Sequence, residues 1–310
     1  MSGPAAGRHL VALLGATASG KTAAAAAIRE RLPVEVVSAD SRQLRRGMSI
    51  GTAAPTEAEL AAVPHHLVGI VEPDARLTLA DWLRLAREAL DGIWARGALP
   101  LLVAGTGQYA WALLEGWSVP EVPPDPERRA RLERVAAEEG AGALHARLAT
   151  LDPASAARID PANVRRVVRA LEIAEATGRP VPPLERTPPA FGWRAVGLRR
   201  PRAALRARAD ARVAAMYEAG LVEETRVLVA RHGRDFEALR AIGYAEALRV
   251  SDGELSLEEA VERTRASTHR LIRMQATWFR ADDPRIAWVD GSDLAALVAA
   301  VEAAARAPVP

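Results

Sequence analysis

The segment Gly15-Ala16-Thr17-Ala18-Ser19-Gly20-Lys21-Thr22 constrains this chain more than any other, because it meets the pattern G-x-x-x-x-G-K-[ST] at every fixed place. Such a loop works only between a strand and a helix. Leu10-Val11-Ala12-Leu13-Leu14 before it reads as a buried parallel strand, and the alanine-rich run from Thr22 to Leu32 reads as a helix. The glycines let the backbone wrap a phosphate with its N–H groups, and the helix N-terminus adds partial positive charge. The expected fold class is therefore α/β, a P-loop NTPase-like parallel sheet flanked by helices. Of the 41 basic residues, every one except Lys21 is an arginine. Either residue serves as a solvated surface cation, but a compact ammonium on a flexible stem reaches between two phosphates better than a planar guanidinium. Gly15, Thr17, Ala18, Ser19, Gly20, Lys21 and Thr22 are thus the candidate phosphate-binding residues, with Thr22 the expected ligand of a magnesium ion.

Other features narrow the class. The chain has 310 residues, enough for one large or two modest domains, and 49% are hydrophobic, which excludes disorder. Runs such as Ala98 to Ala104 fall far short of the ~20 residues needed to cross a bilayer, and Leu10 to Leu14 is too short for a signal segment. A cytoplasmic protein without a membrane anchor is expected, and a monomer. With no cysteine there is no disulfide, thiolate metal site or cysteine nucleophile. The net charge of +2 says little about partners.

A phosphate loop, nucleotide-binding and often ATP-binding, does not by itself name a reaction. Kinases, ATPases, GTPases and group transferases all use one. Guanine selection through Asn-Lys-x-Asp needs a second lysine, which is missing. The strands Val34 to Val37 and Leu99 to Val103 deliver Ser38-Ala39-Asp40-Ser41 and Ala104-Gly105-Thr106-Gly107 to the end of the sheet where open α/β folds bind ligands. Neither closes with the apolar run and aspartate of an ordinary Walker B at the third-strand place. A carboxylate and a hydroxyl face the pocket instead. On motif alone Asp40 is a base, a cap or a magnesium-bound carboxylate, and Thr106 a reaction-centre group or a strand-end cap.

Further blocks follow in order: Asp40-Ser41-Arg42-Gln43, Arg46 to Ala53, Pro64-His65-His66-Leu67, Gly105 to Tyr109, Arg166 to Glu172, Ala241 to Tyr244 and Gln275 to Arg280. With the phosphate loop, this series resembles the signatures of the tRNA dimethylallyltransferase family (tRNA isopentenyltransferases, or IPP transferases) over nearly the whole chain. The resemblance implies transfer of a dimethylallyl group from dimethylallyl diphosphate to the N6 amine of adenosine 37, beside the tRNA anticodon, with Mg2+ at the diphosphate. It makes Asp40 the general base, Thr106 a hydrogen-bonding group at the reaction centre and Arg208 a contact to the diphosphate. It also implies contacts to the tRNA anticodon stem-loop from Asp40, Ser41, Arg42, Gln43, Thr106, Arg129, Arg165, Arg166, Val167, Val168, Arg169, Arg240, Gly243 and Tyr244. The sequence departs from the family pattern at Gly69, Ala104, Ala245 and Met274, the last two removing positive charge from the RNA side.

Proline-rich stretches at Val119 to Pro126 and Pro180 to Pro189 bracket a helical segment without strand candidates. The expected organisation is a catalytic core in two parts, 1–118 and 194–310, with a helical insertion domain, 119–193, contacting tRNA. In its last helix, capped by Asn163, the spacing of Val164, Val167, Val168 and Leu171 puts Arg165, Arg166 and Arg169 on the other side. On pattern alone that face is solvated surface; the resemblance makes it a tRNA face. Arg194 to Arg212 holds seven arginines and one acid, suited to a phosphate backbone. Leu257 to Arg280 reads as a long amphipathic helix presenting Arg270, Arg273 and Arg280 to RNA, with Leu271, Trp278 and Phe279 packed. His65 and His66 point opposite ways on an extended segment and are structural or wall residues rather than metal ligands. The expected architecture holds tRNA between core and insertion, a channel admitting the extruded adenine from one side and the diphosphate from the other. The competing readings are an adenylate dimethylallyltransferase acting on free nucleotide, a P-loop small-molecule kinase, and an RNA-binding module without catalysis.

Overall fold

The computed structural model describes residues 7–308. Six parallel strands, β1 (His9–Leu14), β2 (Val34–Ala39), β3 (His65–His66), β4 (Leu99–Ala104), β5 (Gly192–Arg199) and β6 (Ile286–Asp290), form one sheet in the order β3-β2-β4-β1-β5-β6. The helices are α1 (Lys21–Arg29), α2 (Glu57–Ala62), α3 (Leu79–Ala95), α4 (Gly107–Leu114), α5 (Pro126–Glu138), α6 (Ala141–Leu151), α7 (Pro153–Arg158) and α8 (Val164–Thr177). They continue with α9 (Arg202–Glu218), α10 (Leu221–His232), α11 (Tyr244–Ser251), α12 (Leu257–Trp278) and α13 (Leu294–Arg306). The chain forms two compact units, one of the residues up to Gly116 together with those from Pro188 on, the other Trp117–Thr187.

The first unit is built on β1, whose Leu10 to Leu14 are fully buried because parallel strands are covered on both faces. Val11, Leu13, Val34, Val36 and Leu101 pack with Ala24, Ala25 and Ile28 of α1 and Leu297 and Val301 of α13. A separate core of Met48, Val213, Tyr217, Leu221, Leu228, Tyr244 and Ala260 joins α9 to α12. The strands β3, β5 and β6 lay outside the sequence reading. β3 has two residues and no periodicity to read, while β5 lies inside the arginine-rich stretch. That stretch is consequently not one basic patch, since Arg194 and Arg199 stand on a strand and Arg202, Arg206, Arg208 and Arg212 on α9. Residues 188–193, expected at the end of the helical insertion, fall within the first unit, where the Phe191 ring sits 5.4 Å from that of Trp94.

The helical unit holds α5 to α8 around Leu132, Leu144, Leu148, Val167, Val168 and Leu171. Asp125 and Asp152 cap α5 and α7, each followed by a proline at the first helical position, where a missing N–H costs nothing. Asn163 caps α8, its side chain accepting from the Arg166 N–H at 3.3 Å. Among the described residues of the whole chain, no helix is long and apolar enough to cross a membrane.

Candidate active site

The register of the sheet levels the strand ends. Leu14 of β1 pairs with Ala104 of β4, and Ala39 of β2 pairs with the same Ala104. The next residues, Gly15, Gly105 and Asp40, therefore leave the sheet side by side, across two strand spacings of about 5 Å each. Segments as far apart in the chain as Gly15 and Gly105 meet here at the carboxyl edge, where open parallel sheets carry their ligands.

Gly15 to Gly20 form the loop between β1 and α1, with Ala18 (φ 64°) and Gly20 (φ 107°) in left-handed conformations. The positive φ at Ala18 is strained for a residue with a Cβ, and the loop holds it because its carbonyls are tied on the outside. The Lys21 ammonium donates to the Gly15 and Ala16 carbonyls at 2.8 and 2.9 Å. Arg208 Nε donates to the Ala18 carbonyl at 2.9 Å, Arg200 Nε to the Ser19 carbonyl at 3.0 Å, and Arg212 to the Thr17 hydroxyl at 3.4 Å. A second Arg200 nitrogen bonds the Gly291 carbonyl. Four loop carbonyls, those of Gly15, Ala16, Ala18 and Ser19, are thus matched by cationic side chains. Burial pulls the Lys21 pKa down to about 8; Asp40 favours the ammonium and Arg212 opposes it. Arg212 is lowered too, first by burial and then by Arg208. Cations crowded in this way are relieved by a polyanion.

The opposite wall comes from β2 and β4. Asp40 Oδ1 accepts the Arg42 N–H at 2.9 Å. Its Oδ2 lies against Gly105, where a Cβ would stand 3.3 Å from it. The Thr106 N–H donates to the Ala39 carbonyl at 3.1 Å, and the Thr106 hydroxyl accepts from the Ser41 N–H at 3.2 Å. Thr106 occupies the N-cap position of α4 but makes no side-chain cap bond there, so its hydroxyl serves the β2–β4 junction. Gln43 donates to the Ala53 carbonyl at 3.0 Å and accepts from the Ser38 hydroxyl at 3.3 Å. Ser41, Arg42 and Gln43 are all half-buried beside Asp40.

The other expected contact residues fall into distinct settings. In the helical unit Arg165 and Arg166 are exposed, whereas Val167 and Val168 lie in the core, which removes their side chains from any partner. Arg129 holds the buried Glu172 through two bonds of 3.0 and 2.7 Å, and Arg169 adds a third of 3.4 Å. Arg240 is exposed. Gly243 is buried, and the Tyr244 ring is wholly buried against Gly51, its hydroxyl donating to Glu224 at 2.6 Å. Tyr244 is therefore a packing residue, its side chain closed to a partner. Trp278, expected in the core, is instead 37% exposed and lies over Gly107, where a Cβ would come within 2.3 Å of it. Arg270 and Arg273 are exposed on α12, while Arg280 is engaged by Asp282 at 3.0 and 2.8 Å. His65 bonds the Val63 carbonyl and His66 bonds Glu35, each at 2.7 Å, in keeping with opposite directions.

Three contributors were absent from the expected site: Arg200, Glu224 and Gln275. Glu224 accepts from the N–H groups of Ser49, Ile50 and Gly51 at 3.0 to 3.3 Å, fixing the segment whose Thr52 and Ala53 carbonyls face Gln43. Gln275 is buried and joins the phosphate loop to Gly105. A signal for it existed, because it is a polar residue in the buried stripe of an amphipathic helix. Arg200 carried none among so many arginines.

The sequence profile described as IPP transferase matches residues 43–282, and one described as Isopentenyl transferase matches residues 8–66. The chain belongs to the IPP transferase family. It is 52% identical to the tRNA dimethylallyltransferase of Chloroflexus aurantiacus over 275 residues, 88% of this chain and 93% of that one. The protein of the same name from Roseiflexus sp. is 50% identical over 273 residues, 87% of this chain and 90% of that one. Among solved structures, the full-length tRNA isopentenylpyrophosphate transferase of Bacillus halodurans aligns with a TM-score of 0.70 at 36% identity, covering 96% of this chain and 97% of that one. A eukaryotic dimethylallyltransferase described as acting on tRNA shares the fold, with a TM-score of 0.76 at 21% identity over 97% of this chain and 81% of that one. As in other P-loop folds, this IPP transferase family member places its loop, carboxylate and hydroxyl on one edge of the sheet.

Proposed function

We propose that this chain transfers a dimethylallyl group from dimethylallyl diphosphate to the N6 amine of adenosine 37 in tRNA, releasing diphosphate. The observation that carries the reading is the meeting of a cation-rich phosphate loop with the Asp40 carboxylate and Thr106 hydroxyl at one sheet edge. The C–O bond between the allylic carbon and the diphosphate breaks, a C–N bond to N6 forms, and the N6 proton passes to Asp40. An exocyclic adenine amine is a poor nucleophile, so a base within reach of its proton is what the chemistry requires. The Thr106 hydroxyl, at the junction beside Asp40, orients the amine. Lys21, Arg208 and the loop N–H groups receive the charge growing on the departing diphosphate. Arg165 and Arg166 of the helical unit hold the anticodon stem-loop by its phosphates, and the target base leaves its stack to reach the site.

The donor set fits magnesium. Among the described residues no cluster of three or more histidine, aspartate or glutamate side chains could hold a metal alone. A hard hydroxyl oxygen at the start of α1, beside the phosphate loop, is the donor type magnesium takes. The Thr22 hydroxyl would hold it, and it would supply further charge stabilisation to the leaving group.

Labelled dimethylallyl diphosphate, magnesium and unmodified tRNA test the proposal. Label is expected at the adenosine beside the anticodon, and neither AMP nor ATP should replace tRNA as acceptor. Label in none of a full set of unmodified tRNAs would overturn it.

A further inference from the structure

One stripe of α12 is buried at Ala260, Thr264, Ile272 and Gln275, and the last of these is only 7% exposed. A neutral amide in such a place is unfavourable unless both of its ends are hydrogen-bonded. Both are. The Thr17 N–H donates to Oε1 at 2.8 Å, and Nε2 donates to the Gly105 carbonyl at 2.8 Å. The backbone groups fix the amide's orientation, since an N–H can only donate and a carbonyl can only accept.

The two backbone groups belong to opposite halves of the site. Thr17 lies in the phosphate loop. Gly105 backs Asp40 and precedes Thr106; a Cβ there would stand 3.3 Å from Asp40 Oδ2 and 3.4 Å from Gln275 Nε2. The pairing of β1 with β4 ends at Leu14 and Ala104. Beyond those residues the Gln275 carboxamide links the loop to the Gly105 turn.

We propose that Gln275 is a positioning residue for prenyl transfer, setting the separation between the loop that grips the diphosphate and the Gly105-Thr106 turn behind Asp40. The inference rests on the reaction proposed above. A carboxamide offers an acceptor on one side and a donor on the other. Gln275→Glu keeps the shape and the acceptor but sets a charged oxygen against the Gly105 carbonyl. Gln275→Met keeps the length and drops both bonds.

Misplacing reacting groups by about 1 Å costs roughly 100-fold in rate, so both variants are expected to lower kcat by about 10- to 100-fold while tRNA affinity stays within about twofold. A second readout needs no turnover. Inorganic pyrophosphate should slow amide hydrogen exchange in the peptide spanning residues 105–110 of the wild-type protein, and should do so much less in Gln275→Met. Unchanged kcat in both variants, or an equal exchange response to pyrophosphate in wild type and variant, overturns the bridge. A wild-type protein that labels no tRNA overturns the reaction instead. Should Gln275→Met fail to fold, Gln275→Glu carries the same comparison.

Discussion

At the scale of single residues, the proposed reaction gives charge stabilisation to the phosphate loop and proton transfer to Asp40. Asp40 is held through its Oδ1 by the Arg42 N–H, which fixes the carboxylate without neutralising it. Replacing it with asparagine keeps the shape and removes the base, so kcat should fall by about 10²- to 10⁴-fold, with tRNA affinity in a filter-binding assay unchanged. Equal turnover would remove Asp40 from the proton step. Lys21 gives a pH signature of definite sign. Its pKa of about 8 in the folded chain lies below the 10.5 of an unburied lysine. Between those values the unfolded chain binds more protons, so stability without ligand should rise with pH across that window. In the proposed reaction the ammonium holds the diphosphate, so diphosphate binding should weaken over the same range. Urea titrations and the KM for dimethylallyl diphosphate from pH 7 to 10.5 check both; a flat KM would mean that the ammonium does not hold the diphosphate. Lys21 itself was legible from sequence, as the chain's one lysine inside a fixed pattern. Arg200 was not, because an arginine at a strand end has nothing to mark it until the Ser19 carbonyl is beside it.

At the scale of elements, helices distant in sequence shape the loops that carry the chemistry. Glu224, on the first turn of α10, gathers three N–H groups from residues 49 to 51 and the Tyr244 hydroxyl of α11. Burial, then the neighbouring Glu224 charge, raises the Tyr244 pKa strongly, so the phenol stays a donor to that carboxylate. Glu224→Ala would leave the part-buried Ile50 and Gly51 N–H groups and the Tyr244 hydroxyl without that partner, and a loss of about 2 kcal/mol in urea unfolding is expected. A loss within 0.5 kcal/mol, the range of an ordinary surface substitution, would show that water replaces the carboxylate. Sequence patterning gave the start of α8 and both ends of α12 closely, because capping and apolar spacing in a long helix are local properties. It misread Trp278, since the last turn of α12 runs onto the start of α4, and the ring covers Gly107 rather than entering the core. A bulky aromatic at a helix end has no local marker of which surface it will meet.

At the scale of the whole molecule, the two compact units use arginine differently. In the helical unit Arg129 and Arg169 are engaged by the buried Glu172, while Arg165 and Arg166 remain on the surface. Arg166→Ala should weaken tRNA binding and reduce the slope of log affinity against log salt by about 1, whereas an unchanged slope would remove it from the phosphate contacts. Arg169→Ala should instead lower the melting temperature, because it withdraws a partner from a buried carboxylate. The residues by themselves determined the phosphate loop with its flanking strand and helix, the strands that deliver a carboxylate and a hydroxyl to the sheet edge, and the helical character of the segment between the proline-rich stretches. Each follows from backbone preferences and apolar spacing within a few turns of chain. Only the tertiary structure decided that β4 lies between β2 and β1, and so that Asp40, Gly105 and Gly15 emerge side by side. It also decided which of many arginines touch the loop and that a glutamine from a late helix ties the two walls together. Strand order and helix docking are settled by burial shared among segments as far apart as Val11 and Val301, which no local pattern contains.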